Sequence, residues 1–106
     1  MFMDATSSLR QAYAEDATIS LRHAYPEDDP GLARLAELDS ADAPVQRPAL
    51  VAEQDGVLRA AVSIGDGRVT ADPFVPTMDL VELLQLRRRR LQVRERWARA
   101  VQPHAA

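Results

Sequence analysis

The chain has 106 residues, of which 46% are hydrophobic and 27% are charged, and its formal net charge at pH 7 is -3. This length and composition predict one globular domain and exclude an intrinsically disordered chain. The absence of cysteine excludes a disulfide scaffold, a catalytic thiolate and zinc sites that require Cys ligands. All 13 basic residues are arginine, which also excludes a Schiff-base lysine and a Walker-type phosphate loop.

The first predicted element is a strand at residues 18–24, where Ile19, Leu21 and His23 alternate with Ser20, Arg22 and Ala24 at a period of two. A short amphipathic helix follows and ends near Asp39. Asp28 or Asp29 suits the position before this helix, and Pro30 suits its first turn. The sequence therefore begins its domain with a strand and a helix.

Two strands are predicted next, at residues 49–53 and 57–64, followed by a shorter strand at residues 68–72. The Asp55-Gly56 pair between the first two is typical of a β-hairpin turn. Strand 57–64 is apolar on both faces, which predicts a central strand covered on both sides.

A long helix is predicted over residues 77–101, with Thr77 as its N-cap and acidic residues before basic ones, as the helix dipole favours. The order β-α-β-β-β-α predicts an antiparallel sheet in the α+β class. The predicted organisation is a single domain at residues 18–101, an N-terminal arm at residues 1–17 and a tail at residues 102–106.

A short internal repeat connects the arm with the domain. Residues 9–16 match residues 21–28 at six of eight positions. A local duplication is one interpretation, and the other is that the arm mimics the first strand and pairs with a sheet edge.

Arginine is concentrated near the end of the chain. Residues 83–106 contain 7 Arg and one Glu, whereas residues 1–82 contain 6 Arg and 15 acidic residues. The candidate interaction or anion-binding residues are Arg87, Arg88, Arg89, Arg90, Arg94, Arg96 and Arg99. One interpretation is that they bind nucleic-acid phosphates or an anionic membrane, with Trp97 stacking or anchoring. The other is a solvated face with salt bridges to acids of the body such as Asp28, Asp29 and Glu37.

The same helix carries a second pattern. Residues Leu86, Val93, Trp97 and Ala100 are spaced like a short coiled-coil seam, which predicts core packing or an oligomer contact. An apolar stripe over residues 80–84 predicts the side that packs on the sheet. Arg87, Arg90 and Arg94 continue that side, so the helix is expected to leave its own core near Leu86. A twofold homodimer is the expected assembly.

Three segments carry a resemblance to a known family: ATISLRHAYPEDDPGLARLAELDS, ALVAEQDGVLRAAVSI and RVTADPF. Together they resemble the front half of the GNAT family of N-acetyltransferases, and residues 52–56 match its Asp-Gly hairpin. The resemblance covers roughly residues 17–90. It implies a GNAT-like α+β half-domain and, in complete members, transfer of an acetyl group from acetyl-CoA.

The sequence departs from the family where the cofactor would bind. Family members carry a glycine-rich loop after the fourth strand, whose amides hold the pyrophosphate of acetyl-CoA at a helix start. Residues 73–78 contain two prolines and no glycine, so amide donors are lost and β-carbons occupy the approach. Tyr13 and Tyr25 lie too early in the chain to match the family's tyrosine acid. The resemblance therefore implies no catalytic or cofactor-binding residue here.

The resulting expectation is a non-catalytic, self-associating interaction module without a cofactor. The alternatives are an acetyl-CoA-binding N-acetyltransferase whose site is built by a dimer, and a binder of anionic surfaces. No metal site is predicted, because His23 and His104 have no ligand-spaced partners. Neither a signal peptide nor a membrane span is predicted, so a cytoplasmic protein is expected.

Overall fold

A computed structural model describes residues 18–101 and shows an α+β fold. Its antiparallel sheet has four strands in chain order: β1 (Ile19–His23), β2 (Ala49–Gln54), β3 (Val57–Ser63) and β4 (Val69–Ala71). The two α-helices are α1 (Asp29–Leu38) and α2 (Met78–Val101). The predicted class and element order are confirmed. The arm, the tail and the first copy of the repeat lie outside the described residues.

The central strand β3 is covered on both faces, as its sequence predicts. Leu58 and Ala61 belong to the core cluster that includes the leucines of α1, whereas Ala60 and Val62 belong to the cluster that includes α2. Leu58 and Ala61 are three residues apart, and a register shift opposite Ala52 explains why both reach the same cluster. The sheet thus separates α1 from α2.

Arg22 fixes the link from β1 to α1. We call Arg22 and the three residues that it contacts, Tyr25, Asp28 and Glu53, the Arg22 cluster. The Arg22 guanidinium contacts both carboxylate oxygens of Asp28 at 2.7 and 2.9 Å and Glu53 Oε1 at 2.6 Å. It also lies 5.3 Å from the centre of the Tyr25 ring. Asp28 accepts the Tyr25 N–H at 2.7 Å, so its carboxylate holds the turn before α1. Asp28 occupies the predicted position before α1, but its side chain makes no hydrogen bond to the first turn of that helix.

Acid is expected to weaken the fold through this cluster. The hydrogen bond from Arg22 lowers the pKa of Asp28 below its usual value, despite the opposing effect of burial. A carboxyl group with a lowered folded-state pKa stabilises the fold fully above about pH 4, and this stability is lost as the pH falls through the folded-state pKa. Urea unfolding between pH 7 and pH 3 should show a smaller pH dependence for Arg22→Ala than for the wild type. Equal losses would contradict this role.

A second buried cluster joins α1, β3 and the end of β4. The Asp72 side chain, which is 3% exposed, accepts from Arg59 Nη1 at 2.9 Å and lies 3.7 Å from Arg34 Nη2. Its other oxygen accepts the Phe74 N–H at 2.9 Å. These contacts fix the start of the segment that leads to α2.

The two outer strands of the sheet differ in their free edges. β4 has three residues, and the Ala71 N–H is bonded to Asp39 Oδ2 at 3.1 Å. β1 has five residues, and no described strand pairs with it on the side away from β2. A further strand would therefore find more free backbone at β1 than at β4.

Candidate interaction surface on the C-terminal helix

One side of α2 packs on the sheet. Leu80 and Leu84 are buried, and Leu91, about two turns beyond Leu84, contacts the same core cluster. The helix therefore stays on its core beyond Leu86, contrary to the sequence expectation. Leu83 is 45% exposed and lies beside the contact rather than in it.

The predicted sheet-facing arginines are also corrected. Arg87, Arg90 and Arg94 are exposed, and Arg88 takes the position over the sheet instead. Its Nε donates to the Ile64 carbonyl oxygen at 2.9 Å, and its Nη2 donates to the Gly65 carbonyl oxygen at 3.1 Å. Arg88 therefore holds α2 against the β3–β4 turn and lies on the sheet side of the helix.

A glycine makes room for this contact. Gly67 has φ +77°, and a Cβ added there would lie 2.9 Å from Arg88 Nη1. Gly67→Ala should lower the free energy of unfolding by about 1–2 kcal/mol, because alanine is strained at positive φ and would displace the guanidinium. Chemical denaturation measures this loss. Gly65→Ala is the matched control, since its Cβ would meet nothing closer than Ser63 Oγ at 3.8 Å. Equal losses in the two variants would refute the role of Gly67.

The opposite side of α2 carries the predicted seam, which we call the apolar strip. At 100° per residue its members lie within an arc of about 60°, centred opposite Leu84. They are Leu86, Val93, Trp97 and Ala100. Trp97 is 65% exposed, and the other three are exposed as well. The strip is therefore not part of the described core, which removes one of the two interpretations of the seam.

Arginines border the strip on both sides. Arg89 and Arg96 lie along one border, and Arg90 and Arg94 along the other. A shallow depression is lined by Val93, Trp97 and three of these arginines. We call the four arginines, Arg89, Arg90, Arg94 and Arg96, the arginine border.

The acids proposed to neutralise these arginines are largely engaged elsewhere. Asp28 pairs with Arg22, and Asp29 pairs with Arg47 at 2.9 Å. The single ion pair that α2 makes among residues 18–101 is its own Arg99–Glu95 contact at 3.9 Å. The arginine border therefore has no carboxylate partner in the described part of the chain.

The same face of α2 begins with two acidic residues that were not among the predicted surface residues. Asp79 and Glu82 lie on the arc of the apolar strip, are exposed, and precede Leu86 by seven and four residues. They were assigned to the helix dipole alone. Their heptad-like spacing from Leu86 is the signal that identifies them as part of this face. The outward face of α2 thus begins acidic and continues as an apolar strip between arginines.

The remaining candidates do not form a site. His23 is exposed on β1, and no group of three or more His, Asp or Glu side chains suited to a metal ion occurs among residues 18–101. His104 lies outside the described range. Neither described helix is long and apolar enough to cross a membrane.

Comparison with known proteins adds no relative: no family model, curated protein or solved structure matches this chain. Its functional assignment depends on the features described above. The most distinctive of these is the outward face of α2.

Proposed function

We propose that this chain is a non-catalytic, acetyltransferase-like half-domain that self-associates through the outward face of α2. The observation that carries this proposal is the exposed apolar strip between four arginines that have no described carboxylate partner. Large apolar side chains aligned on one exposed helix face favour a protein contact. The chain's motifs and its β-α-β-β-β-α order support the GNAT-like part of the proposal.

The charge distribution favours a second copy in the antiparallel direction. When Leu86 of each helix faces Val93 of the other, Asp79 and Glu82 lie opposite positions 100 and 97, near Arg94 and Arg96 of the other helix. A parallel pair would place acids beside acids and arginines beside arginines, which repel each other. Antiparallel helix dipoles are also favourable. The partner of this surface is therefore a second copy of the same chain.

Two charge-reversal variants test this arrangement. Variant A carries Asp79→Arg and Glu82→Arg, and variant B carries Arg94→Glu and Arg96→Glu. Each alone should self-associate at least about tenfold more weakly than the wild type, equivalent to about 1.4 kcal/mol. An equimolar mixture should recover association, because each helix then meets opposite charge at both ends. Sedimentation equilibrium of each variant and of the mixture measures this.

The apolar part of the contact has its own test. Trp97→Ser should weaken self-association, whereas Ala98→Ser, at the next position, which is also exposed but lies outside the strip, should leave it unchanged. Circular dichroism verifies that both variants retain their helix. A monomeric wild type at millimolar concentration would overturn the proposal. It would also be overturned if variant A, variant B and Trp97→Ser all associated as strongly as the wild type. A measurable acetyl-CoA affinity by calorimetry would overturn its non-catalytic part.

A second candidate function is supported by the same arginine border. Arginines flanking Val93 and Trp97 form a basic amphipathic helix, a pattern that binds anionic membrane surfaces. The self-association proposal is preferred because Asp79 and Glu82 lie on the same face and would repel such a surface. Salt-sensitive binding to vesicles containing phosphatidylserine, lost in variant B and increased in variant A, would favour the membrane function instead.

A further inference from the structure

The N-terminal repeat extends beyond residues 9–16 and 21–28. Residues 4–16 match residues 16–28 at ten of thirteen positions, with a constant offset of twelve. The proposed function does not use this repeat. The contacts of the second copy show what the duplicated residues do in the fold.

The second copy forms β1 and the turn before α1. Leu21 packs against the core cluster on the α2 side of the sheet, and Ala24 packs against the cluster on the α1 side. The Ala24 N–H also donates to the Ala49 carbonyl oxygen at 2.8 Å. Arg22 and Asp28 supply the Arg22 cluster, which includes Tyr25. These five side chains account for the attachment of the segment to the rest of the domain.

All five are repeated in the first copy. Leu9, Arg10, Ala12, Tyr13 and Asp16 stand at the equivalent positions. The three positions that differ between the copies fall, in the second copy, on Ile19, His23 and Pro26. All three of these residues are exposed. The three differences between the copies therefore fall on exposed residues, and the five residues that attach the segment are all retained.

We propose that the edge of β2 is an acceptor for either copy, so that residues 7–11 of the same chain can replace β1 in a second register shifted by twelve residues. Leu9 then takes the place of Leu21, Arg10 meets Glu53, and Asp16 takes the place of Asp28. Residues 17–28 then form a loop that connects Asp16 to the start of α1 at Asp29. Because Asp16 takes the place of Asp28, the two ends of this loop lie next to each other, and twelve residues are more than long enough to join them.

The occupant is a segment of the same chain because it is covalently tethered to the site. The tether gives it a high effective concentration, which another molecule in dilute solution cannot match. The register of the described structure is the more stable one, because Asp28 then continues directly into α1 without a long loop to close. The second register gains population when the first is weakened.

Cysteine pairs can distinguish the two registers. Ile19 faces Gln54 across β1 and β2, so Ser7 should face Gln54 in the shifted register. Because the chain contains no cysteine of its own, two introduced cysteines can form an intramolecular disulfide only with each other. The test variant is Ser7→Cys with Gln54→Cys, and the matched control moves the first cysteine by one residue, Ser8→Cys with Gln54→Cys. Ile19→Cys with Gln54→Cys reports the described register.

Mild oxidation in dilute solution should form the disulfide several-fold faster from position 7 than from position 8. Adding Arg22→Ala should increase the position 7 rate further, and adding Arg10→Ala as well should cancel that increase. Equal rates at the two positions would overturn the proposal, and so would mainly intermolecular disulfides. If Arg22→Ala unfolds the chain, both rates rise together, and the comparison without Arg22→Ala decides. The readout is intramolecular and does not depend on self-association through α2.

Discussion

Leu84→Ala is expected to lower the free energy of unfolding by about 2–5 kcal/mol. Leu84 is 0% exposed and belongs to the core cluster that joins α2 to β2 and β3. Removing its side chain both loses buried apolar contact and leaves a cavity, because the sheet beneath it cannot collapse far. Urea or thermal unfolding followed by circular dichroism measures the loss.

The neighbouring residue provides the control. Leu83 has the same side chain on the same helix but is 45% exposed, so Leu83→Ala should cost no more than about 1 kcal/mol. The two variants lose similar intrinsic helix propensity, and the difference between them isolates burial. If Leu83→Ala proves as costly as Leu84→Ala, the orientation described for α2 is wrong.

Asp72→Ala should lower the free energy of unfolding by about 2–4 kcal/mol, although it removes only one small side chain. The substitution would leave the partly buried Arg59 without its carboxylate and the Phe74 N–H without its acceptor. Arg59 Nε already lacks a hydrogen-bond partner among the described residues, so the guanidinium has little other compensation. Chemical denaturation at pH 7 measures the effect.

Two further variants separate charge from hydrogen bonding at this position. Asp72→Asn keeps an oxygen for Phe74 and loses the charge opposite Arg59, so its loss should be smaller than that of Asp72→Ala. Asp66→Ala removes an exposed carboxylate that bonds the Arg68 N–H, and it should cost about 1 kcal/mol or less. An Asp72→Ala variant as stable as Asp66→Ala would show that the buried cluster does not stabilise the fold.

The hairpin illustrates what the sequence can predict. Asp55 and Gly56 have φ of 53° and 83°, and these residue types are the ones that tolerate such values. The strands on either side are apolar enough to be recognised as buried. Both signals are local, so no tertiary information is needed to predict β2 and β3.

The orientation of α2 shows where this reasoning stops. Apolar residues at positions 80, 81, 83 and 84 leave two choices for the centre of the buried side, and the arginines that follow match one of them by periodicity alone. Tertiary contacts select the other choice: Arg88 lies on the side that faces the sheet, because it donates to the carbonyl oxygens of a turn 23 and 24 residues earlier. The Asp72 cluster is missed for the same reason, since it joins residues from α1, β3 and β4.

The candidate surface was predicted in part. The spacing of the apolar strip is visible in the sequence, as is the concentration of arginine. Whether the strip faces the sheet or solvent depends on the orientation of α2, which the sequence left ambiguous. The spacing of Asp79 and Glu82 from Leu86 places them on the same side of the helix as the apolar strip, but only the orientation of α2 shows that this side faces outward.

The unequal edges of the sheet limit how molecules could aggregate. Growth of a fibre by strand addition requires two usable edges on every molecule, one for each neighbour. Here β4 is short and Asp39 occupies one of its amides, which leaves β1 as the longer edge. If two molecules paired through their β1 edges, neither would have a long edge left for a third molecule, and assembly would stop at a dimer. The hydrogen bond from Ala71 to Asp39 therefore removes one backbone donor from the β4 edge as well as holding α1 to the sheet.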